Sequence, residues 1–421
     1  MILSILLCLA GGCSFVYLRM YRASKKVENI IPKPFLYRNP AENKDIISGK
    51  GVLEDTYLGP AATLLQSRAV PNERLIQAFG IDNAFTTTDE AYHKEFRRHA
   101  ISLLQRDGVG WQHLRDVVQK LVRQGIDTGD NSDGILLMTL VQKVVLKMSI
   151  HTMFGLSIDK LDDATIQLIA DKISTLWMGS KNPDAAKILV SKDQHILKEA
   201  LRKIFPDMEG TARSNPLNLI LPAYETLWRV VLRCFVEVMF RSGKQGPKWR
   251  RVLVAFLSNP TGLTFDGTSD ADGGISVKNI TAEALRLYPP TRRIYRQITR
   301  GFTIEPEIVA ADIEYVQRDS RFWGADCLHF NPSRWEEVAG KSCDAYMPFG
   351  WKPFVCPAEK EFGPRMIGIL VAALVSGFEE GWTWKAMRRE DVIDDDEPLN
   401  LERESYKTLK LCKNPVSMME T

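Results

Sequence analysis

The 421-residue chain contains no P-loop, no GxGxxG, no GxSxG and no HExxH motif, and no internal repeat. These gaps leave the phosphate-cradling, dinucleotide-binding, serine-nucleophile and zinc-hydrolase motifs without residues to carry them. A surplus of one charge is missing too. Lys and Arg total 55 against 52 Asp and Glu, and a formal net charge of +3 is too small to imply a nucleic-acid partner. Cysteine is scarce: seven, an odd number, widely scattered. That pattern fits a reducing compartment with one or two functional thiols better than a disulfide scaffold. What is present is 45% hydrophobic and 25% charged residues, enough for a sizeable core and neither a disordered nor a fibrous composition. Length alone permits one large domain or two to three ordinary ones.

The first eighteen residues, Met1 to Leu18, carry no charge and are almost wholly apolar, and Arg19, Arg22, Lys25 and Lys26 follow at once. A run of about 18 apolar residues just crosses a bilayer. The basic cluster behind it places the rest of the chain on the cytosolic side. A cleaved signal peptide is the rival reading, with Ala10, Gly11 and Gly12 as the cleavage region. No basic residue opens the segment, and a secreted fate suits the free thiols poorly, so an uncleaved anchor over 1–18 is favoured. A basic, proline-containing linker over 19–50 follows, and then one domain over 51–421.

Within that domain the pattern is mainly helical. Thr86 to Glu90 supplies caps and first-turn acids for a helix over His93 to Leu104. Apolar spacings of three and four predict helices over Asp133–Phe154 and Leu161–Trp177. Ser214-Asn215-Pro216 is an N-cap and first-turn signal for a long apolar helix reaching about Phe240. Asn259 to Gly274 reads as an exposed loop, and a helix over Val277–Leu287 stops at Pro289-Pro290. Arg292–Thr303 and Ile308–Val316 are short, β-branched and partly alternating, as in a small sheet. A helix resumes near Pro364 and runs to about Phe378, and the acidic run Asp394 to Glu397 reads as a solvated loop. The expected fold class is mainly α with a minor β-sheet.

One cysteine stands apart. Cys356 lies in Pro348-Phe349-Gly350-Trp351-Lys352-Pro353-Phe354-Val355-Cys356-Pro357-Ala358, a Gly/Pro-punctuated loop ahead of an apolar helix. Backbone N–H groups of such a loop and the following helix N-terminus stabilise a thiolate and offer it to a metal. Taken alone, a lone cysteine is more often a small buried hydrophobe. Upstream, Glu283-Ala284-Leu285-Arg286 puts acid and base on one helical face. Leu287-Tyr288-Pro289-Pro290 and then Phe330-Asn331-Pro332-Ser333-Arg334-Trp335 follow.

This ordered set resembles the cytochrome P450 superfamily: its Glu-x-x-Arg, its Phe-x-Pro-x-Arg-Trp and its Phe-Gly…Cys loop, in that order. The resemblance extends to Gln317-Arg318-Asp319 with Trp323-Gly324, and covers about residue 86 to the end. It implies a P450 fold behind an N-terminal transmembrane anchor and haem b as cofactor. Cys356 becomes the iron ligand and Phe349 a cofactor contact, and Glu283, Arg286 and Arg334 form a structural triad. Pro222-Ala223-Tyr224-Glu225-Thr226 resembles the family's Ala-Gly-x-(Asp/Glu)-Thr, making Glu225 and Thr226 the catalytic proton relay to dioxygen. Pro222 cannot donate its N–H and disturbs the helix a turn earlier, freeing backbone groups for a water or dioxygen. His93-Lys94-Glu95-Phe96-Arg97 resembles Trp-x-x-x-Arg with His93 in the Trp position. His93, Arg97 and Arg293 are then haem-propionate contacts, arginine being suited to carboxylates by its planar fork.

The cysteine loop departs from the family pattern at three places. Lys352 replaces a glycine, Phe354 the usual basic residue, and Ala358 another glycine. Phe354 shifts propionate pairing onto His93, Arg97 and Arg293. The variant loop resembles a divergent fungal branch, and the chain is shorter than most members, mainly ahead of the long helix after Asn215. The implied activity is monooxygenation of a hydrophobic small molecule, a secondary-metabolite intermediate, using O2. Electrons come from NADPH through a cytochrome P450 reductase docking on Lys352, Lys360 and Arg365. The implied location is the endoplasmic reticulum membrane. The alternatives are a haem-thiolate isomerase or dehydratase that uses no O2, and a catalytically silent shortened relative.

Overall fold

The computed structural model describes residues 34–49, 61–129, 134–181, 183–268, 274–298, 306–338, 344–379, 383–386 and 397–414. The anchor expected over 1–18 lies outside them, as does Asp394 to Asp396. No helix among the described residues is long and apolar enough to cross a membrane.

Helices dominate, as the apolar spacing predicts. In chain order they are α1 (Pro40–Ser48), α2 (Ala61–Ala69), α3 (Glu73–Phe79), α4 (Glu90–Leu104), α5 (Gly108–Gly129), α6 (Leu137–Phe154), α7 (Asp163–Gly179), α8 (Pro183–Ile204) and α9 (Leu217–Val236). Then follow α10 (Gly246–Ser258), α11 (Gly262–Asp266), α12 (Val277–Leu287), α13 (Ile313–Gln317), α14 (Ser320–Trp323), α15 (Arg334–Val338) and α16 (Phe362–Glu379). Two three-stranded sheets accompany them. Strands β1 (Phe35–Tyr37), β3 (Arg293–Ile298) and β4 (Glu307–Asp312) run in the order β1-β4-β3; β2 (Ile135–Leu136), β5 (Thr383–Ala386) and β6 (Lys410–Asn414) run β2-β6-β5. The antiparallel β3–β4 pair sets Arg293 opposite Asp312 and Arg296 opposite Val309.

The main core is built by the inner faces of α5, α6, α7, α9, α10, α12 and α16, with Val145, Ile169, Phe235, Leu253, Ala284 and Leu370 all fully buried. Helix α16 has mostly apolar residues and is covered on nearly all sides from Met366 to Val375, which is why its sequence shows little periodicity. Helix α9 is interrupted by Pro222. The Asn218 carbonyl that proline would leave unpaired takes Asn83 Nδ2 at 3.3 Å, and the Pro222 carbonyl accepts Thr226 Oγ1 at 2.9 Å. The α9 N-terminus is closed as expected from its signals, Asn215 Oδ1 accepting from Leu217 N at 3.0 Å.

Several expectations need correcting. Residues 35–48, within the stretch read as linker, form β1 and α1. Asn39 caps α1 and Ile46 and Ile47 are buried, so apolar residues that looked too sparse for an element do pack. The predicted strand Ile308–Val316 stops at Asp312 and turns into α13, which swings Gln317 inward. The predicted loop Asn259–Gly274 contains α11, closed by a Thr261–Thr264 capping box because Phe265 is buried against Phe256. Helices α5, α8 and α10 were not anticipated. The span thought shortened, between α4 and α9, carries four helices.

Candidate functional site

Cys356 sits at the end of a tight loop that leads into α16. Gly350 turns the chain at φ 78°, a conformation glycine adopts without a Cβ penalty, and donates its N–H to Met347 O at 3.0 Å. Cys356 N–H donates to Phe349 O at 3.0 Å, so Phe349 fixes the height of the cysteine backbone. The Phe349 ring lies against Gly363 at the start of α16. A Cβ at Gly363 would come within 3.0 Å of that ring and 2.9 Å of Ala358 O. Burial pushes the Cys356 thiol up. The Ala358 N–H opposes that rise, Glu359 adds to it, and the Arg68 and Arg97 guanidiniums pull it back.

Around Phe354 three basic side chains converge. Arg68 lies 4.8 Å over the Phe354 ring and Arg296 5.3 Å from it, and the His93 ring meets Phe354 edge-on at 6.0 Å. Arg68 Nη1 is 3.4 Å from His93 Nε2. Arg97, one turn along α4 from His93, is close enough to depress both His93 and Cys356. Among the described residues none of the three arginines has a carboxylate partner: Arg296 donates only to the Ile47 and Tyr295 carbonyls, and its buried Nε donates to nothing. Burial without a counter-ion pushes Arg68 down to about 10 and Arg296, with Arg68 beside it, to about 9. His93 is lowered first by burial and then by Arg68 and Arg97.

Behind the loop, Glu283, Arg286 and Arg334 are brought together in one buried network. Glu283, fully buried, accepts from Arg286 Nε at 2.8 Å and Nη2 at 2.7 Å, from Arg334 Nε and Trp335 Nε1 at 3.0 Å each, and from Asn331 N at 2.9 Å. Arg286 Nη1 donates onward to Gln317 O at 2.7 Å and Cys327 O at 2.8 Å. Gln317 clips the end of α12 through the Leu285 and Arg286 carbonyls, and its Oε1 accepts Met347 N at 3.0 Å. The ladder therefore runs from α12 directly into the cysteine loop.

On α9 the residues Leu219, Pro222, Ala223, Thr226 and Leu227 form a half-buried stripe while their neighbours Tyr224, Glu225 and Trp228 are buried. Glu225 and Thr226 are adjacent and so point about 100° apart on the helix. Thr226 lies on the stripe. Glu225 faces the other way and is closed by a bidentate pair with Arg403, Nη1 to Oε1 at 3.0 Å and Nη2 to Oε2. The two relay residues expected from the sequence thus do not meet at one point.

Residues 277–408 match the cytochrome P450 family model. Over that stretch, less than half of the chain, the sequence is similar to cytochrome P450. A 99-residue stretch is 40% identical to Cytochrome P450 CYP72A616 of Paris polyphylla, covering 21% of this chain and 19% of that protein. Another, of 144 residues, is 37% identical to echinocystic acid 23-monooxygenase of Saponaria officinalis, covering 31% and 25%. The matched segments thus span about a fifth to a quarter of these curated relatives. Both are plant proteins and lend no support to the fungal attribution of the cysteine loop. In solved structures the P450 fold matches along nearly the whole chain. Cytochrome P450 OleT in complex with arachidonic acid aligns with a TM-score of 0.58 at 14% identity over 95% of both chains. A six-coordinated P450 from Thermus thermophilus aligns at 0.55 and 15% over 90% and 92%.

The residues present fit the haem that a P450 carries. Cys356 would supply the sulfur, and the guanidiniums of Arg68, Arg97 and Arg296 would meet anions of the propionate kind, Arg296 with an orphaned buried Nε. Arg293 does not join them. Strand residues alternate faces, so Arg293 turns away from the side carrying Ile294 and Arg296 and reaches Asp312 Oδ1 at 3.6 Å. Arg296, not Arg293, lies beside Phe354, and the alternation of β3 contained the signal for that placement. Arg68, on α2, is a second residue the sequence reading missed, and no local motif marks it. Arg365, expected on the docking face, is instead buried. It pairs with Glu361, donates to Pro260 O at 2.7 Å and lies 4.2 Å over Trp111, tying down the start of α16.

Proposed function

We propose that the protein is a membrane-anchored haem-thiolate monooxygenase that inserts one oxygen atom of O2 into a hydrophobic small molecule, a secondary-metabolite intermediate. The observation that carries this reading is the half-buried Cys356, in an otherwise largely exposed loop, beside a group of basic side chains that hold no carboxylate. Bound haem supplies activation of O2. The chain's own residues do the rest. Cys356 would hold the haem iron from a loop fixed by Phe349 O and the Gln317 ladder. Arg68, Arg97 and Arg296 would neutralise the propionates, and the neutral His93 beside them would offer a hydrogen bond. Thr226 holds a hydroxyl proton on the partly open stripe of α9, and the stripe's apolar members keep water from the reacting carbon.

The names of two plant relatives, echinocystic acid 23-monooxygenase and 11-oxo-beta-amyrin 30-oxidase, support a natural-product substrate. The apolar 1–18 segment supports anchoring in the endoplasmic reticulum membrane. Exposed Lys352 and Lys360 support docking of an NADPH–cytochrome P450 reductase. One observation favours a second reading, an isomerase or dehydratase that uses no O2: Glu225 is closed by Arg403 and is not available to carry a proton while that pair holds.

The reduced full-length protein under carbon monoxide is expected to show a far-red-shifted Soret band that Cys356→Ala lacks. Folded protein that takes up no haem refutes the reading. With reductase present, NADPH consumption matched to hydroxylated product separates the monooxygenase from the O2-independent alternative.

A further inference from the structure

Away from the cysteine loop, a second group of cations gathers at one end of the α9 stripe. Trp177 of α7 is flanked by two guanidiniums, Arg74 at 5.1 Å and Arg403 at 5.4 Å from its ring. Arg74 Nη1 donates to Ser180 Oγ at 2.6 Å, which holds it beside the α7 C-terminus. Lys181 is the next residue along. Arg229 lies one turn beyond Thr226 on α9, and its guanidinium donates to the carbonyls of Glu225, at 3.1 Å, and of Pro290.

The carboxylates in reach are already taken: Glu225 by Arg403, and Glu402 by Arg292 at 2.8 Å. Among the described residues Arg74, Lys181 and Arg229 hold no carboxylate. Their crowding is felt. Lys181 is lowered first by desolvation and then by Arg74, Arg403 and Arg229, with Glu402 opposing. Arg229 is pushed down to about 10 chiefly by burial, Glu225 raising it and Arg403 lowering it. Arg74 stands at the Trp177 ring, the exposed Lys181 and the half-buried Arg229 add charge near it, and cations gathered without anions are costly unless an anion joins them.

We infer that Arg74, Lys181 and Arg229 form an anion clamp for the substrate, so that the molecule oxidised is an amphipathic carboxylate. Its carboxylate sits against the clamp beside Trp177, and its apolar body runs along the stripe toward Thr226. This inference rests on the monooxygenase reading for its chemistry, but not for the clamp itself.

Calorimetric titration of the full-length haem-loaded protein with dodecanoate and with 1-dodecanol, chains of equal length differing in charge, tests it. A charge-assisted contact predicts dodecanoate binding at least about tenfold tighter. The double variant Arg74→Gln/Lys181→Gln is expected to bring the two ligands together. In the parent, raising salt to about 0.5 M is expected to shrink the difference, a readout that needs no variant. Equal affinities, or a preference that survives both the variant and salt, overturn the clamp. The carbon monoxide spectrum of the same protein reports separately. A thiolate band without carboxylate preference refutes the clamp alone, whereas preference without the band refutes the monooxygenase and leaves the clamp standing.

Discussion

Glu283→Gln is the sharpest test of how the chain holds its cysteine loop. The carboxylate accepts five hydrogen bonds, two of them on Oε2, from Arg286 Nε and Trp335 Nε1. An amide in its place keeps one oxygen, so at least those two contacts turn into donor facing donor. It also removes the negative charge between two buried guanidiniums, Arg286 being fully enclosed. Hydrogen bonds to charged groups contribute about 1.5–3 kcal/mol each. Breaking one side of a buried ion pair costs about 3–5 kcal/mol. Both routes give a loss of roughly 3–5 kcal/mol, a large share of the ~5–15 kcal/mol that usually separates folded from unfolded chains. The assay is urea unfolding by circular dichroism, with Asp159→Asn as the control. Asp159 pairs with Lys120 at the surface, where a loss of under about 1 kcal/mol is expected. If Glu283→Gln shifts stability no more than the control, the network is not what holds the loop, and the path through Gln317 to Met347 loses its role.

Arg296→Leu is expected to speed haem transfer to an apo-acceptor by about tenfold or more, while Arg293→Leu, whose side chain faces Asp312, leaves the rate near that of the parent. Equal effects would return the propionate role to Arg293. Acid should weaken the region around Arg334. Burial raises the Asp326 carboxyl, but the Asn331 and Arg334 hydrogen bonds outweigh it and hold the group below its usual range. A depressed folded value means the contribution is whole above the ordinary aspartate value and is lost as pH falls through the folded one. Unfolding midpoints measured from neutral pH downward should therefore converge for parent and Asp326→Asn below about pH 4. A constant gap between them refutes the linkage.

Much of the haem-side half was legible because its residues are bound to one another by short-range chemistry. Glu283 and Arg286 share a helical face whatever surrounds them, and Gly350 needs a glycine's φ wherever the loop is placed. Val277–Leu287 was bounded correctly from its cap and its terminal prolines. Helices α5, α8 and α10 escaped notice although they are amphipathic, and α5 is even capped by Asp107, whose Oδ1 accepts from Gly110 N at 2.7 Å. Residues 35–48 looked like linker because only contact with β3 and the cysteine loop gives Ile46 and Ile47 a place to be buried.

The sequence by itself determined the resemblance to cytochrome P450, the cysteine loop and the acid–base pair behind it, since those depend on residue type and order along a short stretch of chain. Which arginines gather at Phe354, that Arg293 turns to Asp312, that Arg403 closes on Glu225, and that Arg74 and Lys181 stand beside Trp177 were decided only by tertiary structure. Charges from α2, α3, β3 and the 397–409 segment are brought together by packing of apolar faces that carry no information about them. A guanidinium's partner depends on what the fold leaves within a few ångströms of it, and that distance is not written in the chain.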